Sequence, residues 1–267
     1  MALIHMTYLS QALLRTVELQ VILPVDKFMA AGNDRESKDF KTLYLLHGLL
    51  GSSMDWISGT CIQRWAEERE LAVVMPSGEN SFYFDHVLPN NAYGRFIGQE
   101  LPAMMRKTFP LSEKREDTFI GGLSMGGYGA IHNGLKYCDT FSHIIALSSA
   151  IHMFQEDGDG FYQELACFGD RKEAEKTDLN PKVAFENAQR KGLAPGIYMA
   201  CGTEDDLLGV NRELKTFLEE RGAELTYVEV SGRHDWDFWN GQIYEALKWL
   251  PLDVHSTGIN SGHVKEN

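Results

Sequence analysis

A chain of 267 residues, 43% of them hydrophobic and 11% aromatic, can bury a sizeable core and has a length that α/β folds fill as one domain. Its formal net charge of −13 argues against nucleic acid and anionic membrane surfaces, neither of which would attract it electrostatically. No stretch reaches the roughly 18 uninterrupted apolar residues of a membrane span, so a soluble globular protein is expected.

Residues 1–14 show no basic region followed by an apolar core and a cleavage site, so cytoplasmic residence is the expectation. Cys61, Cys138, Cys167 and Cys201 lie far apart with no CxxC pair, which suits neither a zinc site nor a disulfide scaffold. They read as small buried hydrophobes. Val17, Leu19, Val21 and Leu23 alternate with outward positions, the pattern of a half-exposed strand at an antiparallel edge.

The runs 42–46, 71–75, 118–121, 143–148, 196–201 and 225–230 are short and apolar, as strands buried on both faces are. Longer helical stretches separate them. One is 211–221, where Leu214, Phe217 and Leu218 share a face. Such alternation predicts an α/β fold with a mostly parallel central sheet, helices on both faces and an antiparallel N-terminal edge. Residues 150–180 lack periodicity and read either as a cap insertion over a site or as a surface excursion. The expected organisation is one domain over residues 1–255 and a flexible tail over 256–267.

The chemistry begins at Gly122-Leu123-Ser124-Met125-Gly126, a G-x-S-x-G pattern between an apolar run and a helical one. A sharp strand-to-helix turn needs glycines two residues either side of the serine, where side chains would collide. The turn lifts the hydroxyl above the sheet, and the helix N-terminus offers N–H groups to developing negative charge. A serine is a weak nucleophile without a base. Among nine histidines, His234 stands out because Gly232-Arg233-His234-Asp235-Trp236 follows the last strand and completes the order Ser, acid, His of an α/β-hydrolase. The competing reading is a surface-loop histidine beside Trp236, Phe238 and Trp239.

The acid is expected after residue 201, in Gly202-Thr203-Glu204-Asp205-Asp206. Any of the three carboxylates could hold the imidazole, with Asp205 preferred and Asp206 in reserve. First-turn charges for the next helix are the alternative for the remainder. Two oxyanion donors are expected, from the backbone of Met125 and of Leu49, the latter in His47-Gly48-Leu49-Leu50-Gly51. Candidate substrate contacts are His47, Tyr83 and Trp236; Tyr83, Phe84 and His86 read equally as pocket lining or as buried core aromatics, and His47 with Gly48 shapes the turn rather than reacts. No metal or organic cofactor is implied. A small-molecule ester is the expected partner, nucleic acid and membrane are not, and homo-oligomerisation is left open.

At these residues the chain resembles the esterase D-like branch of the α/β-hydrolases and, within it, the bacterial tributyrin esterase type. The landmarks are Leu43-Tyr44-Leu45-Leu46-His47-Gly48 with Asp55-Trp56, Gly122-Leu123-Ser124-Met125-Gly126-Gly127, Cys201-Gly202-Thr203-Glu204-Asp205, and His234-Asp235-Trp236-Asp237-Phe238-Trp239. The resemblance implies hydrolysis of short-chain acyl esters. Relatives include S-formylglutathione hydrolases, feruloyl esterases and carbohydrate deacetylases. It supports Asp205 over Asp206, which stands where relatives often carry an aromatic. Residues 49–56 lack the Thr-Cys usual in S-formylglutathione hydrolases. A non-catalytic binding protein on the same fold is the remote alternative.

Overall fold

A computed structural model describes residues 1–26, 39–86, 90–151 and 170–252. Eight strands form one sheet in the order β1-β2-β4-β3-β5-β6-β7-β8. They are β1 (Ala2–Ser10), β2 (Arg15–Leu23), β3 (Lys41–Leu46), β4 (Leu71–Pro76), β5 (Thr118–Leu123), β6 (His143–Leu147), β7 (Gly196–Gly202) and β8 (Leu225–Val230). β2 runs antiparallel to β1 and to β4, and every pairing from β4 to β8 is parallel.

Alternation along each strand sends successive side chains to opposite faces, and the apolar run of a central strand therefore feeds two cores. Tyr44 and Leu46 of β3, Val74 of β4, Ile120 of β5 and Met199 of β7 lie in one core. Leu43 and Leu45, Val73, Phe119 and Tyr198 lie in the other. The first core is covered by α4 (Leu101–Thr108), α5 (Met125–Lys136), α7 (Pro181–Arg190) and α8 (Leu208–Glu220). The second is covered by α1 (Asp55–Gly59), α2 (Ile62–Glu68) and α9 (Trp236–Trp249). Short α3 (Tyr93–Arg95) joins α4 through a π-helical turn at Phe96–Glu100, and α6 (Arg171–Ala174) precedes α7. No described helix is long and apolar enough to cross a membrane.

Three expectations need correction. Val17–Leu23 is not at the edge: β1 shields one side of β2 and β4 the other, so Gln20 and Ile22 are buried along with Leu19 and Val21. β1 is the edge, and its residues alternate between half-buried and exposed. At the far side β8 is an edge as well and is only half-buried, rather than covered on both faces. Of the cysteines, Cys138 and Cys201 are buried, but Cys61 is exposed at the start of α2. Cys167, most of the 150–180 segment and the tail lie outside the described residues.

Candidate active site

The parallel strands all point the same way, and the loops leaving their carboxyl ends converge, which is where open α/β sheets carry their sites. β5 ends at Leu123, and Ser124 takes φ 53° and ψ −117° before α5 begins at Met125. A serine pays a steric cost in this left-handed region. Neighbouring groups hold it there: its N–H donates to the Leu147 carbonyl at 2.9 Å, and its own carbonyl accepts from Ala150 N at 3.0 Å and Tyr128 N at 3.1 Å.

The flanking glycines are required by contact rather than by flexibility. A Cβ on Gly122 would sit 2.3 Å from the Gly126 carbonyl oxygen, and one on Gly126 would sit 2.4 Å from that of Leu46 and 2.6 Å from that of His47. Backbone packs on backbone here, so no side chain fits. Similarly, a Cβ on Gly48 would lie 3.6 Å from Ser124 Cβ, which puts the turn carrying Leu49 beside the serine. The Met125 N–H opens α5, where a helix has no internal acceptor to offer.

β7 delivers Asp205 and the loop after β8 delivers His234. Ser124 Oγ lies 3.0 Å from His234 Nε2, and His234 Nδ1 lies 2.9 Å from Asp205 Oδ2. A carboxylate can only accept, so Nδ1 carries the proton and Nε2 is free to receive one from the serine. The Asp205 side chain is 0% exposed whereas that of His234 is 36% exposed. Burial alone would raise the Asp205 carboxyl, yet hydrogen bonds from His234, the Leu207 N–H and Ser148 outweigh it and hold the group below the ordinary carboxylate range.

The other two carboxylates of the cluster go elsewhere. Asp206 is exposed. Glu204 accepts the Gly232 N–H at 2.6 Å and ties the β7 loop to the loop that carries His234. That bond, with further ones from Thr203 and Ser231, lowers its carboxyl below the usual value. Nor does any of the three act as a side-chain cap for α8, whose N-cap is Leu207.

His47 and Tyr83, candidates for substrate contact or for the turn and the core, are 1% and 0% exposed. Their polar atoms build the turn behind the site. The Gly78 N–H donates to His47 Nε2 at 2.8 Å, so Nδ1 holds the proton and donates to the Gly48 carbonyl at 2.7 Å. Burial lowers the His47 basicity and favours this neutral ring. Tyr83 donates its hydroxyl to the His47 carbonyl at 3.1 Å. Phe84 is buried too, while His86 is half-buried and bonded to the Ser81 carbonyl. Trp236 is partly exposed and packs edge-on against Trp56 and Trp239, with Gly59 beneath its ring.

Several residues around the serine carried no expectation of a role in the site. Asn80 accepts the Leu50 N–H at 2.9 Å and braces the tip of the β3 turn. Asn211 of α8, 1% exposed, donates to the Ser149 and Leu207 carbonyls and accepts the Ser149 N–H, clamping the loop after β6 to α8. Ser148 and Trp239 lie against Asp205 and His234. Their signal was position alone, at the end of a central strand and inside the aromatic run after His234. Among the described residues no group of three or more His, Cys, Asp or Glu side chains is disposed to hold a metal ion.

Residues 10–250 match the family described as "Putative esterase". An acetyl esterase of Caldicellulosiruptor saccharolyticus is 42% identical over 264 residues, covering 94% of this chain and 98% of that protein. Among solved structures, the substrate-bound fluorophosphonate-binding serine hydrolase FphF of Staphylococcus aureus superposes with a TM-score of 0.82 at 31% identity, over 93% of this chain and 98% of that one. The S-formylglutathione hydrolase FrmB of the same organism gives 0.81 at 30% identity, with the same coverage. A match over most of the length, in sequence and in fold, assigns the chain to that esterase family, as a carboxylic ester hydrolase on the α/β-hydrolase fold.

Proposed function

We propose that the protein hydrolyses esters of short acyl groups, acetyl esters foremost, with Ser124 as nucleophile, His234 as base and Asp205 as the carboxylate that orients the base. The observation that carries the reading is the unbroken run of hydrogen bonds from Ser124 Oγ through both nitrogens of His234 to a fully buried Asp205. The 42% identical acetyl esterase supports the acyl preference. His234 takes the hydroxyl proton as Ser124 Oγ bonds to the acyl carbon, and the oxyanion forms beside the N–H groups of Leu49 and Met125. Collapse expels the alcohol, which leaves with the proton from His234, and an acyl-enzyme remains. Water then repeats the sequence, giving up its proton to His234 and releasing the carboxylic acid.

Thioester hydrolysis is the second reading, favoured by the likeness to an S-formylglutathione hydrolase structure. Ser52-Ser53 between the turn and Asp55, without a Thr-Cys, favours oxygen esters.

The test is turnover of p-nitrophenyl acetate, butyrate and longer esters, tributyrin and S-formylglutathione by wild type and Ser124→Ala. Rates should fall with acyl length and drop by about 10⁴-fold or more in the mutant, with circular dichroism unchanged. Retained activity in Ser124→Ala would remove the nucleophile, and a preference for the thioester would replace the acyl-ester reading.

A further inference from the structure

Ser148 lies against the Asp205 carboxylate, alongside His234 and the Leu207 N–H, and is itself held from behind. Trp239 is 7% exposed and its indole N–H donates to Ser148 Oγ at 3.1 Å. Ser148, 0% exposed, follows β6 directly and sits at φ 46°, where only a minority of non-glycine residues are found. Its N–H is fixed on the Ala200 carbonyl at 2.8 Å. The Trp239 ring also stands edge-on to His234, centroids 4.9 Å apart at 87°.

We propose that Ser148 and Trp239 are positioning residues of the triad: the indole N–H occupies one lone pair of Ser148 Oγ, the serine proton is thereby directed to the Asp205 carboxylate, and the indole ring walls the base. The inference rests on the triad reading above. An indole can only donate, so Ser148 must send its proton onward. Two acceptors lie within reach, Asp205 and the Cys201 sulfur. Burial pushes the Cys201 thiol up to about 12, so it remains a neutral thiol and a weak acceptor, whereas a buried carboxylate is a strong one. Cys201 is a further titratable group set against Asp205. Beside His234 in sequence, Arg233 is exposed and Asp235 caps α9 through the Phe238 N–H.

Removing a donor concentrates negative charge on Asp205, which then holds the imidazolium form of His234 more tightly. For Ser148→Ala we therefore expect kcat to fall about tenfold and the acidic limb of the kcat/KM profile to move up by about half a pH unit to one unit, part of the free energy of one hydrogen bond to a carboxylate. Trp239→Phe keeps a ring beside His234 and should move the limb the same way by less. The double variant should show no larger shift than Ser148→Ala alone, because both act through one hydrogen bond. Titration of His234 by NMR with histidine-labelled protein in the Ser124→Ala background measures the same shift without turnover. It therefore separates failure of this inference from failure of the triad. An unmoved His234 titration in Ser148→Ala, or additive shifts in the double variant, would overturn the proposal, even if activity fell.

Discussion

Three carboxylates stand side by side at Glu204, Asp205 and Asp206, and burial separates them. Asp205→Asn leaves the imidazole facing an amide that cannot hold the required tautomer, and kcat should fall by about 10³- to 10⁴-fold. Asp206→Asn, at an exposed position, should stay within about twofold of wild type. Parallel p-nitrophenyl acetate kinetics on the two variants check both. Composition and spacing offered no way to tell these side chains apart, because the difference lies in which of them turns under the β8 loop. For His47 the turn-shaping role was legible from its place in the His-Gly turn, and both of its nitrogens are bonded within that turn, to Gly48 and Gly78, which leaves neither for substrate.

At the scale of elements, the glycines of the strand-to-helix turn and those of the outer helices are opposites. Gly126→Ala places a methyl within 2.4 Å of the Leu46 carbonyl and should cost about 3 kcal/mol or prevent folding. Gly241, exposed in the interior of α9, faces open space, with nothing within 4 Å of where a methyl would stand, so Gly241→Ala should stabilise by about 1 kcal/mol. Thermal melts of the two variants should therefore move in opposite directions, the second up by about 3 °C. The parallel strands and α8 were legible because a short continuous apolar run suits a strand covered on both faces, and a single apolar stripe suits a helix laid on a sheet. β1 was not, since Leu3 and Leu9 point to solvent while His5 and Thr7 interrupt any apolar run, and only pairing with β2 reveals it. The half-exposure of β8 was equally hidden, because apolar and β-branched residues mark a strand without saying whether a neighbour covers its outer side.

The whole molecule carries an acid sensitivity lodged away from Ser124, His234 and Asp205. His132 of α5 is fully buried, stacked on Tyr128, with its Nδ1–H donated to the Asp178 carbonyl at 3.0 Å. Burial first and Lys136 second push its pKa from 6.5 down to about 4. The unfolded chain takes up that proton below about pH 6.5 while the folded one resists until about pH 4. Its contribution to stability is thus complete above that window and lost as pH falls through it. Urea midpoints measured from pH 7 to 4 should decline less steeply for His132→Asn, which can still donate to Asp178. A second molecular property follows from α5 itself. It begins at Ser124 with no side chain bonded across its first turn, unlike α7, which Asn180 closes. An anion seated on Ser124 would be the missing N-terminal cap, so the tetrahedral intermediate should be the most tightly knit form the protein ever takes. A phosphonylated Ser124 would hold that form indefinitely, and its melting point should lie above that of the free enzyme.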